Sequence, residues 1–375
     1  MNARLTFETM NQWRILLYPL SLIYGLGVAV RNLLYDVGVL TEHEFKSIST
    51  ISIGNLSTGG TGKTPHTEYL IRLLKDEFKL STLSRGYGRN SRGFKLANEE
   101  CNFEDIGDEP LQFYKKFPDL TVAVDADRAS GINQLQRKVD DLDIVLLDDA
   151  FQHRSIVSGV SILLTEYSKL FVDDLLLPAG NLRESKKGMR RADIIIVTKS
   201  PEVLSPLDAR TIKDRIKPKS YQNVYFSYFK YGNIRHVFDS VSNTYPRYSQ
   251  ISKVILVTGI AHSGRLVEYL NQFGFQINHL RFPDHHGYTE KDIAQIKTAY
   301  NEKSLGRNVI ITTEKDAMRF QHPDLEEQLN DLPIYYLPIE VAFHNNKATE
   351  FNEQILHYVR TNKVNSQLNT EKNEN

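Results

Sequence analysis

The sequence has one cysteine, no excess charge of either sign and no apolar run long enough to cross a bilayer comfortably. The lone Cys101 can form no internal disulfide and has no thiolate neighbours for a metal site, so a reducing, cytoplasmic setting follows. Forty-six basic residues against 46 acidic ones give a net charge of zero. That argues against a nucleic-acid partner, because such binders carry a basic excess that neutralises phosphates. Any anionic partner must be held by local basic clusters. Between Arg14 and Arg31 lie sixteen uncharged residues, Ile15 to Val30, broken by Pro19, Gly25 and Gly27. A spanning helix needs about 20 apolar residues, and no convincing small-residue cleavage site marks a signal peptide. Two readings remain. One is a helix lying at a membrane interface, which Tyr18, Tyr24, Tyr35, Arg14 and Arg31 suit; the other is an ordinary buried helix.

What is present is a chain of 375 residues, 41% apolar, enough for about two domains. Phe45 to Gly54 reads as a strand ending in a glycine-rich loop. Thr64 to Phe78 has helical spacing, with Tyr69, Leu70, Leu73, Leu74 and Phe78 on one face. Leu80–Leu83, Thr121–Val124, Ile144–Leu147 and Ile194–Val197 are short and almost wholly apolar, as strands of a parallel sheet covered on both faces must be. From Tyr221 to Tyr248 the texture changes to Tyr, Phe, Ser and Asn, and one or two antiparallel strands, a hairpin linker, are expected. A second α/β pattern starts at Val254. It continues with helices near Arg265–Phe273 and Glu290–Lys303 and strands near Gln276–Leu280, Val309–Thr312 and Ile334–Leu337. A closing helix is expected over Thr349–Arg360, and the polar tail beyond Lys363 is expected to be disordered.

Ser57-Thr58-Gly59-Gly60-Thr61-Gly62-Lys63-Thr64 follows a predicted strand and opens a predicted helix, the context a phosphate-binding P-loop requires. Glycines let backbone N–H groups turn onto the phosphates at a helix N-terminus. Lys63 is placed to reach the β- and γ-phosphates and the Thr64 hydroxyl to ligate Mg²⁺. The usual first glycine is Ser57. Asp143-Ile144-Val145-Leu146-Leu147-Asp148-Asp149 has the form of a Walker B strand, so Asp148 and Asp149 are the expected metal carboxylates. Thr198-Lys199-Ser200 sits where a GTPase reads guanine, but Pro201 replaces the required Asp. ATP with Mg²⁺ is therefore the expected cofactor pair. The rival classes are a different P-loop kinase or ligase and a GTPase-type switch.

The run Gly54 to Pro65 resembles the P-loop of the tetraacyldisaccharide 4′-kinases, which phosphorylate the lipid A precursor. Further segments resemble that family in order: Ser84–Arg89, Gly107-Asp108-Glu109-Pro110, Asp148–His153, Pro178–Glu184, Gly259-Ile260-Ala261-His262, Phe282–His286 and Thr313–Ala317. Ala150 stands where the family usually has Gly, and Ser185 where it often has Pro. The resemblance implies an α/β fold: a P-loop NTPase core with a mostly parallel sheet, a two-stranded linker and a smaller C-terminal α/β domain. The expected divisions are an N-terminal membrane-associated helix over 1–40, the kinase core over 41–220, the β linker over 221–250, the smaller domain over 251–362 and the tail over 363–375. It also implies transfer of the ATP γ-phosphoryl group to the 4′-hydroxyl of a tetraacyldisaccharide 1-phosphate lipid. The enzyme is then expected as a monomer on the cytoplasmic face of the inner membrane.

A sugar hydroxyl needs a positioned base, and the resemblance makes Asp108 the candidate; an Asp-Glu-Pro run read alone is equally a helix start. His262 is expected to pair with Asp108, or else to be a surface or capping histidine. Arg183, with Lys186, Lys187, Arg190 and Arg191, is either a substrate-holding cluster or a solvated face. Arg85, Tyr87 and Arg89 form a basic-aromatic loop suited to sugar or phosphate. Adjacent His285 and His286 point opposite ways on an extended chain and are read as making structural or substrate-loop hydrogen bonds rather than as metal ligands. Glu314, Lys315 and Asp316 are expected in an interdomain polar network.

Overall fold

A computed structural model describes residues 12–238, 246–260, 263–284, 286–302 and 306–374. The larger of two main sheets has nine strands in the order Ile339–Phe343, Asn223–Tyr231, Ile194–Thr198, Val160–Glu166, Ser49–Asn55, Ile144–Asp148, Leu80–Ser84, Thr121–Val124 and Lys95–Leu96. Every pairing is parallel except the two outermost, 339–343 against 223–231 and 95–96 against 121–124. Ser49–Asn55, Ile144–Asp148 and Ile194–Thr198 are buried along their whole length, and the last two accordingly run apolar without alternation up to their final residue. On one face Ile51, Ile53 and Ile144 pack against Leu70, Ile71 and Leu74 of the helix Lys63–Leu74 and against Phe351, Ile355 and Val359 of the closing helix.

The smaller sheet has the order Arg235–His236, Ile334–Leu337, Arg307–Thr313, Ile251–Thr258, Gln276–Arg281 and is parallel apart from its 235–236 edge. One apolar cluster spans both sheets: Ile106, Leu111 and Val124 of the first lie with Ile255, Val257 and Phe320 of the second.

Four expectations change. The two strands that connect the sheets are Asn223–Tyr231 and Ile339–Phe343, antiparallel to each other, so the linker is not a hairpin inside 221–248. Its second strand returns only after the smaller sheet is complete. The predicted strand from Phe45 starts at Ser49, and the predicted helix to Phe78 stops at Leu74. The polar tail continues the closing helix, which runs Lys347–Glu374, because nothing after Arg360 supplies the Gly or Pro that would stop it.

Of the N-terminal helix Tyr18–Asp36, Ser21 is the one buried residue. Ile15, Leu16, Leu20, Leu22, Ile23, Leu26, Val30 and Leu33 are exposed, which removes the buried-helix reading. Its other side is tied to the loop 176–183. Arg14 donates to the carbonyls of Pro178 and Gly180, Ser21 to that of Leu176, and Tyr24 to that of Arg183.

Candidate active site

The glycine-rich loop lies at the C-terminal end of the central strand Ser49–Asn55, where open parallel sheets collect ligands. Gly59 and Gly62 have φ of +106° and +89°, a region open to glycine. A Cβ on Gly62 would also stand 2.8 Å from the Phe229 ring. The loop is braced from behind. Asn55 Nδ2 donates to Thr61 Oγ1 at 2.9 Å, and the Thr198 hydroxyl donates to the Thr61 carbonyl at 2.8 Å. His66, in the first turn of the following helix, donates from Nδ1 to the Gly62 carbonyl at 2.7 Å, and its Nε2 meets the Ser227 hydroxyl at 3.0 Å. Burial holds the His66 imidazole down to about 4, so it is neutral. The N–H of Thr58 donates to Asn181 and that of Thr61 to Gly59. These two expected phosphate donors are engaged within the protein.

Beside the loop the strand Ile144–Asp148 delivers its two carboxylates in contrasting surroundings. Asp148 is buried and accepts from the Thr67 hydroxyl at 3.1 Å. Burial, then the charge of Asp149, push its carboxyl up to about 7. Burial also acts to raise Asp149, but Lys63 Nζ at 3.5 Å and Arg183 Nη1 at 3.2 Å outweigh it and hold the carboxyl below its ordinary value. Arg183, expected on substrate, thus sits on the second acid, with its Nη1 also 3.4 Å from Gln152 Oε1. The close crossing of the two segments depends on Gly54, where a Cβ would fall 2.6 Å from that of Phe151.

A third cation in this region went unread in the sequence. Asp127 caps the helix Arg128–Lys138 by accepting from the amides of Ala129 and Ser130. This fixes Arg128 in the first turn, fully buried. Its Nη1 donates to the Asp125 carbonyl, while Nε and Nη2 have no partner among the described residues. Burial lowers the guanidinium to about 10, opposed by the charges of Asp148 and Asp149. The signal available was Asp125-Ala126-Asp127-Arg128 directly after a parallel strand, a place where ligand-binding side chains gather. His153 lies near the same cations: burial, then Arg128 and Arg85, lower its imidazole to about 4.

Asp108 opens the helix Asp108–Lys116 but makes no capping bond; Gly107 occupies the cap with φ +93°. A Cβ on Gly107 would lie 3.0 Å from the Tyr87 carbonyl, so the loop carrying Arg85 and Tyr87 rests directly on the turn that presents Asp108. Both those side chains are exposed; Arg89 instead folds back on its own loop, donating to the Gly93 carbonyl at 2.8 Å. The buried partner of Asp108 is Arg319, which the sequence did not single out. Nη2 lies 2.5 Å from Oδ2 and Nε 3.2 Å from Oδ1. His262, and so its expected pairing with Asp108, lies outside the described residues, as does His285.

Other expectations resolve simply. The basic cluster divides: Lys186 donates to the Val172 carbonyl and Arg191 pairs with buried Glu184 at 2.7 Å, while Lys187 and Arg190 are exposed. His286 pairs with Asp292 at 2.9 Å and stacks on Phe282, a structural arrangement. Glu314, Lys315 and Asp316 do bridge the two sheets or brace that bridge, through Lys116, Glu109 and Arg319 respectively.

The sequence profile of the tetraacyldisaccharide-1-P 4′-kinase family matches residues 13–360. A tetraacyldisaccharide 4′-kinase of Bacteroides thetaiotaomicron is 47% identical, over 98% of both chains. One of Flavobacterium johnsoniae is 43% identical over 94% of this chain and 99% of its own. The crystal structure of Aquifex aeolicus LpxK in complex with ATP superimposes with a TM-score of 0.70 at 28% identity, covering 92% of this chain and 99% of that one. With its P-loop, acidic strand end and two-sheet architecture, the chain belongs to the tetraacyldisaccharide 4′-kinase family.

Proposed function

We propose that this chain transfers the γ-phosphoryl group of ATP to the 4′-hydroxyl of a tetraacyldisaccharide 1-phosphate, a late step of lipid A synthesis, on the cytoplasmic face of the inner membrane. The observation that carries the reading is a convergence. The P-loop, the Asp148–Asp149 strand end and the guanidinium of Arg128, whose Nε and Nη2 have no partner among the described residues, meet at one end of a parallel sheet, and Asp108 presents a carboxylate from the neighbouring helix. Backbone N–H groups of the glycine loop and Lys63 hold the triphosphate, and the free nitrogens of Arg128 supply two more donors for phosphate oxygens. Arg85 and Tyr87, exposed on the loop that rests on Gly107, contact the sugar or its phosphate; Arg183 orients Asp149.

The residues fit Mg²⁺. Thr64 and the two carboxylates give an all-oxygen donor set suited to a hard cation, and Asp148 is a buried carboxylate raised by burial and by the charge of Asp149, a place where a bound cation would favour the ionised form. Asp149 already has Lys63 and Arg183, so Asp148 is the better direct ligand. When bound, the ion neutralises charge on the β- and γ-phosphates. Asp108 accepts the proton of the 4′-hydroxyl as its oxygen bonds to Pγ; the bond from Pγ to the bridging oxygen breaks, and ADP leaves. The exposed apolar side of Arg14–Asp36 lies in the bilayer surface, and the 176–183 loop links that helix to the P-loop through Asn181 and Thr58. An acylated acceptor is thereby presented beside the nucleotide.

The test is transfer of labelled γ-phosphate from ATP to purified acceptor lipid by wild type and Asp108→Ala. Wild type should label the lipid and the variant should lose at least a hundred-fold in kcat. Equal rates from the two proteins, or no labelling by wild type, would reject the reading.

A further inference from the structure

The two sheets meet through a pair of helices, Asp108–Lys116 from the larger and Glu314–Phe320 from the smaller, and polar cross-links flank the apolar packing of Leu111 near Phe320. Lys116 reaches Glu314 at 2.5 Å, Lys315 reaches Glu109 at 2.9 Å, and Lys115 reaches Gln321 at 2.7 Å. Only one of these cross-links is buried on both sides, and it falls on Asp108. Arg319 grips that carboxylate with Nε and Nη2, one nitrogen to each oxygen. The remaining nitrogen, Nη1, lies 3.2 Å from Asp316 Oδ1 and 3.5 Å from the Gly259 carbonyl. Asp316 is itself fixed: its Oδ2 accepts from the Gly259 amide at 3.0 Å and from the Thr313 hydroxyl at 2.7 Å. Arg319, Asp316 and Asp108 are all buried. The chain Asp108–Arg319–Asp316–Gly259 therefore runs from the larger sheet to the end of the smaller sheet's strand Ile251–Thr258.

We infer that Arg319 is a positioning residue for phosphoryl transfer, holding the Asp108 carboxylate in one orientation, and doing so only while the two sheets are docked. The inference rests on the role given to Asp108 above. A carboxylate has about four acceptor sites, and a guanidinium fork occupies one on each oxygen. The fork thereby fixes the plane of the Asp108 carboxylate. The guanidinium carries its charge at any working pH, so the grip on the carboxylate does not depend on the titration of Arg319. A lysine in the same place would supply charge from a single point and leave the carboxylate free to rotate.

Steady-state kinetics on the full-length protein in a double-mutant cycle tests this. Arg319→Gln should lower kcat at least ten-fold with KM for ATP within two-fold of wild type, and in an Asp108→Asn background the same change should alter kcat less than two-fold. Arg319→Lys, which keeps the buried charge if the Gln variant does not fold, should still lose at least five-fold in kcat at unchanged KM for ATP. Lys115→Met, which breaks an exposed bond between the same helices, should stay within two-fold. Wild-type kcat in folded Arg319→Gln, an equal loss in the Asp108→Asn background, or a matching loss in Lys115→Met would overturn the inference while leaving Asp108 as base. Full activity of Asp108→Asn would overturn the base itself, and the role of Arg319 with it.

Discussion

At the scale of single residues, buried cations of two kinds stand out. Arg319 is saturated with carboxylates, while Arg128 is buried with two nitrogens unpartnered, a costly arrangement unless a ligand completes it. Arg128→Met should therefore melt no lower than wild type in the absence of nucleotide, yet bind ATP at least ten-fold more weakly by calorimetry, a loss of about 1.4 kcal/mol. A variant that loses stability but keeps its ATP affinity would contradict this. Lys63 and Asp148 were legible from sequence because glycine spacing and an apolar run ending in two acids are rare patterns. Arg128 and Arg319 were not. A single arginine in a polar helix is commonplace, and what distinguishes these two is burial, which only the docking of helices onto sheets produces.

At the scale of elements, the P-loop is braced by a neutral histidine. The His66 value is depressed in the folded state, so its contribution is complete above the ordinary 6.5 and is lost as pH falls through about 4. The difference corresponds to roughly 3 kcal/mol. Thermal melting followed from pH 7 to pH 4 should drop more steeply in wild type than in His66→Gln; parallel curves would show that the imidazole is not the group involved. Gly54→Ala should destabilise by about 2 kcal/mol or more, measured by urea unfolding, because its Cβ would collide with Phe151. Ile144–Asp148 and Ile194–Thr198 were readable from their unbroken apolar runs. The linker pairing was not, since Asn223–Tyr231 finds its antiparallel partner only after the whole smaller sheet has intervened, and no local turn announces that return. Nor was the helical continuation to Glu374, because composition that suits disorder also suits a polar helix once one has been nucleated.

At the scale of the whole molecule, one side of the N-terminal helix leaves large apolar side chains in solvent, each worth about 1.5–3 kcal/mol when buried. A bilayer surface would recover that. Replacing Leu22, Ile23 and Leu26 with Ser should reduce co-sedimentation with phospholipid vesicles at least five-fold without changing ATP affinity; unchanged sedimentation would exclude this helix as the contact. The same helix is hydrogen-bonded to the loop that touches the P-loop, so the exposed apolar helix and the phosphate loop form one connected piece.

The central claim is that the P-loop grips a triphosphate while an acyl-disaccharide hydroxyl is aligned in the cleft, and the position of the transferred phosphate tests it most directly. With γ-labelled ATP and purified tetraacyldisaccharide 1-phosphate in mixed micelles, the wild-type product should carry label on the 4′-oxygen alone, and Lys63→Ala should reduce its formation at least a hundred-fold. Label at another position, or undiminished transfer by Lys63→Ala, would contradict it.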